Sequence, residues 1–211
     1  GACVGHSDAV VSHFHAAVSK TEEVHAAIER IGDPATELTL GRNCADVSRV
    51  NHLLRTHGDA LAGDPAFDHD QLQQAFVDRV LGGGLPRHAL AQASLGVRAG
   101  GLGMRSAASI ALAAFVSSRA ESKPLVDHIF KCMEDVGLPA AAARALYTAE
   151  LHASLDILAA SLDEGRAAQL RQDVSEGARH AQARVSAMLA GRVLEGADSA
   201  AAQPRGGGIV D

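Results

Sequence analysis

Gly100-Gly101-Leu102-Gly103-Met104-Arg105-Ser106-Ala107 stands directly before a helix-forming run of small residues that ends near Phe115. Glycine adopts backbone angles that other residues reach only at a cost. We therefore expect Gly100, Gly101 and Gly103 to form a tight structural turn. A β-carbon at Gly101 or Gly103 should destabilise it, because a side chain at positive φ is strained.

This stretch differs from the glycine-rich loops that bind phosphate. A Walker loop requires Gly-Lys-Ser/Thr, and the stretch contains no lysine. A dinucleotide-binding turn follows a strand of a β-α-β unit, and no such strand is predicted before Gly100. The pattern therefore favours a corner between two helices over a ligand-binding loop.

The composition of the whole chain predicts an all-α fold. Apolar residues make up 47% of the 211 residues, but aromatic residues only 3%. Alanine, the strongest helix former, contributes roughly a fifth of the chain. Clusters of β-branched and aromatic residues, which favour strands, are few. We expect an irregular array of about seven to eight helices, packed closely through small side chains, with corners at glycine and proline.

Apolar spacing and the Gly/Pro corners place these helices along the chain. Four predicted helices are placed by their first residue: Ser7, Asp68 or Asp70, Pro86, and Pro139. The other four are placed by range: Pro34 to about His57, 105–119, 122–136, and 166–193. We expect a helical region over 1–120, a C-terminal helical hairpin or bundle over 121–195, and a flexible tail over 196–211.

The charge distribution gives only weak support for nucleic-acid binding. The net charge is −6, yet residues 41–120 hold eight arginines, no lysine and six aspartates. Nucleic-acid binders usually carry a strongly basic face. Arg42, Arg49 and Arg55 would form a loose basic stripe if they shared one helix. The alternative is that they pair with Asp46 within the helix and with solvent.

The cysteines indicate an intracellular, reducing environment, without distinguishing an organelle from the nucleus. Cys3, Cys44 and Cys132 are odd in number and far apart, which is not the pattern of a disulfide framework. The chain begins at Gly1, from which we expect a processed chain or a piece of a longer one. No secretory segment or transmembrane span is predicted.

The residues that could carry chemistry do not form a recognisable active site. His13 and His15 are two positions apart, so they point to different helix faces and are expected to be solvated. Asp68-His69-Asp70 is interpreted as a helix N-cap rather than a metal site. Cys44 and Cys132 lie in no catalytic motif and are interpreted as buried small hydrophobic residues. We therefore predict no catalytic residue, no metal and no cofactor.

A series of short motifs, in this order, resembles the region downstream of the catalytic palm in reverse transcriptases of non-LTR retrotransposons. The motifs are Gly1-Ala2-Cys3-Val4-Gly5, Gly32-Asp33-Pro34, Leu40-Gly41-Arg42-Asn43-Cys44, Asn51-His52-Leu53-Leu54-Arg55-Thr56, Phe67-Asp68, Gln92-Ala93-Ser94-Leu95, Gly100–Ala107 and Ala114-Phe115. The resemblance covers about residues 1–120. It departs from the family where Cys3 replaces the usual proline.

The resemblance implies a thumb or connector region, which helps to hold the template–primer duplex in the intact enzymes. Arg42, Arg49, Arg55 and Arg105 are then the candidates for contact with nucleic acid. Reverse transcription requires paired aspartates that hold two metal ions. Their Phe/Tyr-x-Asp-Asp box is not in this sequence. We therefore expect no polymerase activity from this chain alone.

Two functions remain open, and a third is weaker. The first is a non-catalytic helical interaction module, derived from a retroelement and reused as a structural or accessory subunit beside other protein subunits. The alternative is a fragment of a reverse transcriptase that contacts RNA or an RNA/DNA duplex. The weaker possibility is an enzyme that uses Cys44 or Cys132.

Overall fold

The computed structural model describes residues 5–176, 184, 185 and 188. Within this part of the chain every regular element is helical, which confirms the all-α prediction. The α-helices are α1 (Ser7–Ile28), α2 (Pro34–Cys44), α3 (Asn51–Leu61), α4 (Asp64–Val80), α5 (Arg87–Ser94), α6 (Ala107–Asp135), α7 (Ala141–Ala160) and α8 (Glu164–Ser175). Short 3-10 helices cover Val47–Arg49 and Val97–Ala99. Residues 1–4 of the motif Gly1-Ala2-Cys3-Val4-Gly5, most of the last predicted helix beyond residue 176, and the tail over 196–211 lie outside the described residues.

Helix α6 is the centre of the fold, because α3, α4, α7 and α8 all contact it. Its face toward α3 is built from small residues, and Ala107, Ala111 and Ala114 are fully buried there. On α3, Gly58 lies so close that a β-carbon would stand 2.4 Å from the carbonyl oxygen of Ala111. The two helices therefore approach through glycine and alanine, as the composition predicts.

Three apolar clusters surround this arrangement. One lies among α1, α3 and α6 and includes Phe14 and Leu54. A second lies among α6, α7 and α8 and includes Phe115 and Leu170. The third includes Phe76 of α4, together with residues of α1 and α5. Leu155 belongs to the second cluster, so a charged residue there would disturb the core.

The single helix predicted from Pro34 to His57 is wrong. Helix α2 ends at Cys44, a 3-10 turn follows, and α3 begins at Asn51. Gln73 of α4 donates a hydrogen bond to the Ala45 carbonyl at 2.9 Å, and its amide lies 3.4 Å from Asp46 Oδ1. The chain breaks there because aspartate favours non-helical backbone and the Gln73 amide satisfies the Ala45 carbonyl, which a continuous helix would use.

The N-cap predicted at Asp68-His69-Asp70 is also wrong. Helix α4 begins one turn earlier, at Asp64, with Pro65 in its first turn. Proline lacks an amide hydrogen and is therefore well suited to that position. His69 and Asp70 consequently lie inside α4 and are buried.

Helix α6 continues through the break predicted between 119 and 122. It carries Pro124 in its interior and ends at Asp135. Proline removes one helical hydrogen bond, but Ala120 before it and Phe130 after it are both buried against the rest of the protein. Packing on both sides therefore sustains the helix. The domain boundary predicted at residue 120 falls inside it.

None of the helices that the structure describes is long and apolar enough to cross a membrane.

Candidate functional site

The glycine-rich stretch forms a turn between α5 and α6. Gly100 and Gly103 have φ angles of +79° and +77°. Gly101 has no positive φ; a β-carbon there would lie 2.1 Å from the Leu95 carbonyl oxygen. The expected strain from positive φ thus applies to Gly103, whereas at Gly101 the constraint is the close approach of another backbone segment.

The amides of this turn are occupied by the end of α5. Gly103 donates to the Leu95 carbonyl at 2.8 Å, and Leu102 donates to the Ala93 carbonyl at 3.1 Å. The turn is thereby folded back on α5. It delivers Ser106, the N-cap of α6, to a fixed position beside α4.

Asp70 of α4 binds the first turn of α6. Its carboxylate accepts hydrogen bonds from the backbone amides of Ala107 at 2.6 Å and Ala108 at 3.2 Å, and from the Ser106 hydroxyl at 2.5 Å. Ser106 in turn accepts from the Ser109 amide at 3.0 Å. An anion at a helix N-terminus is stabilised by the free amides and the helix dipole. Sequence reasoning missed this contact, and the only local signal was an aspartate inside an apolar helical pattern.

A buried polar centre, consisting of His25, Asp46, His69 and Gln73, joins α1 and α4 to the chain between α2 and α3. The His25 ring stacks on Phe76, with the ring centroids 4.3 Å apart. Sequence reasoning did not detect this cluster, because its members come from three distant segments.

The electrostatics of the polar centre follow from its burial. Desolvation lowers the pKa of His25 to about 4, the positive charges of Arg79 and Arg49 add to the shift, and the backbone of Ala45 opposes it. Burial also raises the pKa of Asp46, against the attraction of Arg105. His25 is therefore a neutral packing partner at pH 7.

A shallow pocket of about 320 Å³, including its open mouth, lies beside the N-terminus of α6. Asp70, Ser106 and Arg105 are among its polar lining residues. Asp70 and Ser106 are bonded to α6, and Arg105 Nη2 lies 3.5 Å from Asp46 Oδ2. The charged side chains of the pocket thus already have partners within the fold. Among the described residues, no group of three His, Cys, Asp or Glu side chains is placed to hold a metal ion.

The structure does not place the predicted arginines on one helix, so the single-helix stripe is wrong. Arg42 lies in α2, Arg49 in the 3-10 turn and Arg55 in α3. The Arg49 guanidinium donates to the Cys44 carbonyl at 3.3 Å, and Arg55 pairs with Glu121 of α6 at 3.0 Å. Asp46, the predicted partner of these arginines, instead forms an ion pair with Arg105.

Three of the four arginines nevertheless lie near one corner of the molecule. The Arg42 side chain contacts the turn at Gly103, two residues before Arg105. Arg105 reaches back to Asp46, which directly precedes the 3-10 turn that holds Arg49. We call Arg42, Arg49 and Arg105 the arginine corner. Arg55 is directed to α6 instead.

The interpretation of Cys44 and Cys132 as buried hydrophobic residues is wrong, because both are exposed. Cys132 Sγ lies 3.6 Å from His128 Nε2, one turn earlier on α6. His13 and His15 are exposed, as expected, and His15 lies 3.4 Å from Asp68.

The second half of α6 exposes an apolar row that the sequence analysis did not separate from the core. Leu125, Ile129 and Val136 are 62%, 47% and 72% exposed, and Cys132 completes the row with spacings of four, three and four residues. These spacings place Leu125, Ile129 and Cys132 on one face of α6, and Val136, the C-cap residue directly after the helix, extends that row. We call Leu125, Ile129, Cys132 and Val136 the α6 stripe. Periodicity alone could not identify it, because a buried face has the same spacing.

Comparisons with family models, with curated proteins and with solved structures each found no match for this chain.

Proposed function

We propose that this chain is a non-catalytic helical interaction module that serves as a structural or accessory subunit beside other protein subunits. The observation that carries the proposal is the α6 stripe. Single exposed apolar residues are ordinary, but a continuous apolar row on a regular helix is typical of a protein–protein contact. Descent from a retroelement reverse transcriptase is proposed on the order of the sequence motifs alone.

The proposal is tested by the size of the native particle. Tagged wild-type chain and a Leu125→Asp/Ile129→Asp variant are expressed in the source cells, and the extracts are separated by size with and without nuclease. We expect the wild-type chain in a large, nuclease-resistant particle and the variant at the size of the free chain, because two buried carboxylates would oppose docking.

Ile157→Asp is the matched control, since Ile157 is 62% exposed on α7, outside the stripe. It should remain in the large particle. Circular dichroism of the purified variants establishes that each is folded. Retention of the stripe variant in the same particle as wild type would overturn the proposal.

The arginine corner supports a second candidate, contact with RNA or an RNA/DNA duplex. The side chain of Arg105 is 52% exposed, and Arg49 is also exposed. Both can therefore reach phosphate while keeping their internal contacts. Guanidinium groups bind phosphate through paired hydrogen bonds.

This candidate predicts a salt-dependent affinity that the corner controls. Replacing Arg42, Arg49 and Arg105 by glutamine should weaken binding to an RNA/DNA duplex and flatten the dependence of log K on log salt, because fewer counterions are released. Replacing Arg144, Arg166 and Arg171 of α7 and α8 removes the same charge elsewhere and should leave the slope unchanged. Equal effects of the two triple substitutions would count against a specific site.

A further inference from the structure

The α6 stripe continues the helix face that packs on α3. Gly58 of α3 lies against Ala111, whereas Arg55, three residues earlier, reaches Glu121. The two helices are therefore antiparallel, and α3 begins at Asn51, shortly beyond this ion pair. Helix α6 extends for more than three further turns past Glu121. The same face is thus covered by α3 in the first half of α6, whereas among the described residues no helix covers it in the second half, where Leu125 and Ile129 are exposed.

The other sides of this second half are distinct. Phe130 is buried and meets Tyr147 of α7 edge to face, and Arg144 lies over the Phe130 ring. Phe130 is separated from the stripe by about 100° or more around the helix axis, because each residue advances by about 100°. Helix α7 therefore occupies a different face and leaves the stripe open.

We propose that a second copy of this chain packs on the α6 stripe, with the two helices antiparallel about a two-fold axis. The stripe has the three-and-four spacing of a coiled-coil seam. An axis between Ile129 and Cys132 would set Leu125 opposite Val136 of the second copy, and Ile129 opposite Cys132 of the second copy. One surface thereby serves both partners, as a two-fold interface requires.

The residues that flank the stripe argue for this orientation. On one side lie Val126 and Met133, which are both half-buried; on the other lie His128 and Asp135, which are both exposed. In an antiparallel pair like flanks meet, so Val126 faces Met133 and His128 faces Asp135 of the second copy. A parallel pair would place His128 beside Met133 and lose the hydrogen bond that the imidazole would donate to the Asp135 carboxylate of the second copy.

The interface is small, so the association should be weak. The stripe spans twelve residues, which is about 17 Å of helix. A contact of this length belongs to the low end of specific interfaces, and we expect a micromolar dissociation constant. The inference rests on the proposed function in treating the stripe as a docking surface, and it adds the identity and orientation of one occupant.

Purified full-length chain tests the inference by sedimentation and cross-linking. Sedimentation should show a monomer–dimer equilibrium that Ile129→Asp shifts at least tenfold toward monomer and Ile157→Asp leaves unchanged. A short bis-maleimide should link two chains in a Cys3→Ser/Cys44→Ser background, in which Cys132 remains. It should not link them in a Cys3→Ser/Cys132→Ser background, in which Cys44 remains.

A charge exchange tests the orientation. Asp135→Lys should weaken the dimer about threefold, because it removes the carboxylate that would accept a hydrogen bond from His128 of the second copy. His128→Glu should weaken it similarly, by placing a carboxylate opposite Asp135. The double substitution should restore dimerisation, which a role of either residue in folding alone would not produce.

Monomer at every concentration, or a dimer linked only through Cys44, would overturn the inference. The outcomes for the two proposals are separable. One outcome is that the purified chain is monomeric but the Leu125→Asp/Ile129→Asp variant is lost from the large particle. The second copy is then excluded, and another protein occupies the stripe. If the substitutions change neither readout, both proposals fail.

Discussion

Asp70 connects two helices whose bonded residues are 37 positions apart in the chain. It lies inside α4, yet its carboxylate serves the first amides of α6. The turn at Gly100–Gly103 makes this possible, because it delivers Ser106 to the side of α4. At the scale of single residues, the position of the central helix thus depends on one carboxylate and one turn.

We expect Asp70→Ala to lower the free energy of unfolding by about 1–3 kcal/mol, because it leaves the buried Ala107 amide without an acceptor. Chemical denaturation at pH 7 measures the change. Asp68→Ala, two residues earlier and exposed, is the matched control and should change stability by less than about 0.5 kcal/mol. Equal stability of Asp70→Ala and wild type would contradict the proposed role of Asp70.

His25 predicts a pH dependence of stability. Its pKa is about 4 in the folded protein and 6.5 for the free side chain, so the unfolded chain binds the proton first as the pH falls. The stabilisation is complete above about pH 6.5 and decreases toward pH 4, by roughly 3 kcal/mol in total. The raised pKa of Asp46 acts in the opposite direction near the acidic end.

Urea denaturation between pH 7.5 and pH 4.5 measures this effect. His25→Leu should flatten the dependence over this range, whereas His88→Leu, at an exposed position, should leave it unchanged. If the free energy of unfolding of His25→Leu depends on pH as steeply as that of wild type, another group is responsible for the dependence.

Sequence reasoning at this scale succeeded where the cause was local and failed where it was tertiary. The glycines at 100 and 103 indicated a turn, because the positive φ that they adopt is an intrinsic preference of glycine, whereas Gly101 is constrained by the approach of the Leu95 carbonyl. Asp70 and His25 could not be assigned, since their partners come from other helices. The exposure of Cys44 and Cys132 was likewise set by packing, which no local pattern encodes.

At the scale of elements, the α3–α6 contact determines how closely the helices pack. We expect Gly58→Ala to destabilise the fold by about 1–3 kcal/mol, because its β-carbon would overlap the Ala111 backbone and the helices would have to separate. Thermal denaturation measures the loss. Gly96→Ala is the control: its φ is −60° and nothing lies within 4 Å of the new methyl group, so its melting temperature should match or exceed that of wild type.

The existence of most helices could be predicted from the sequence, but several of their ends could not. Composition and Gly/Pro corners identified α1, α5 and the helical character of the whole chain. The break at Ala45 escaped detection because Gln73, from a different helix, satisfies the freed backbone. The continuity of α6 through Pro124 escaped detection because packing on both sides outweighs the lost hydrogen bond.

At the scale of the whole molecule, one face of α6 packs on α3 in its first half and is the proposed docking surface in its second half. Its first half is covered by α3, and its second half exposes the α6 stripe. The predicted arginines divide in a similar manner: Arg42, Arg49 and Arg105 gather at a corner, and Arg55 is paired with α6. Under the two proposals, protein docking and nucleic-acid contact would therefore use different parts of the surface.

The accessibility of Cys132 in the native particle tests docking through the α6 stripe most directly. Cys132 lies in the stripe and Cys44 outside it, and both are exposed in the single chain. Alkylation with a maleimide, followed by peptide mass spectrometry, compares each thiol in the particle and in the purified chain at high dilution. We expect Cys132 to react at least tenfold more slowly in the particle, while Cys44 reacts at its free rate. Equal reaction of Cys132 in both states would show that the stripe is not the docking surface.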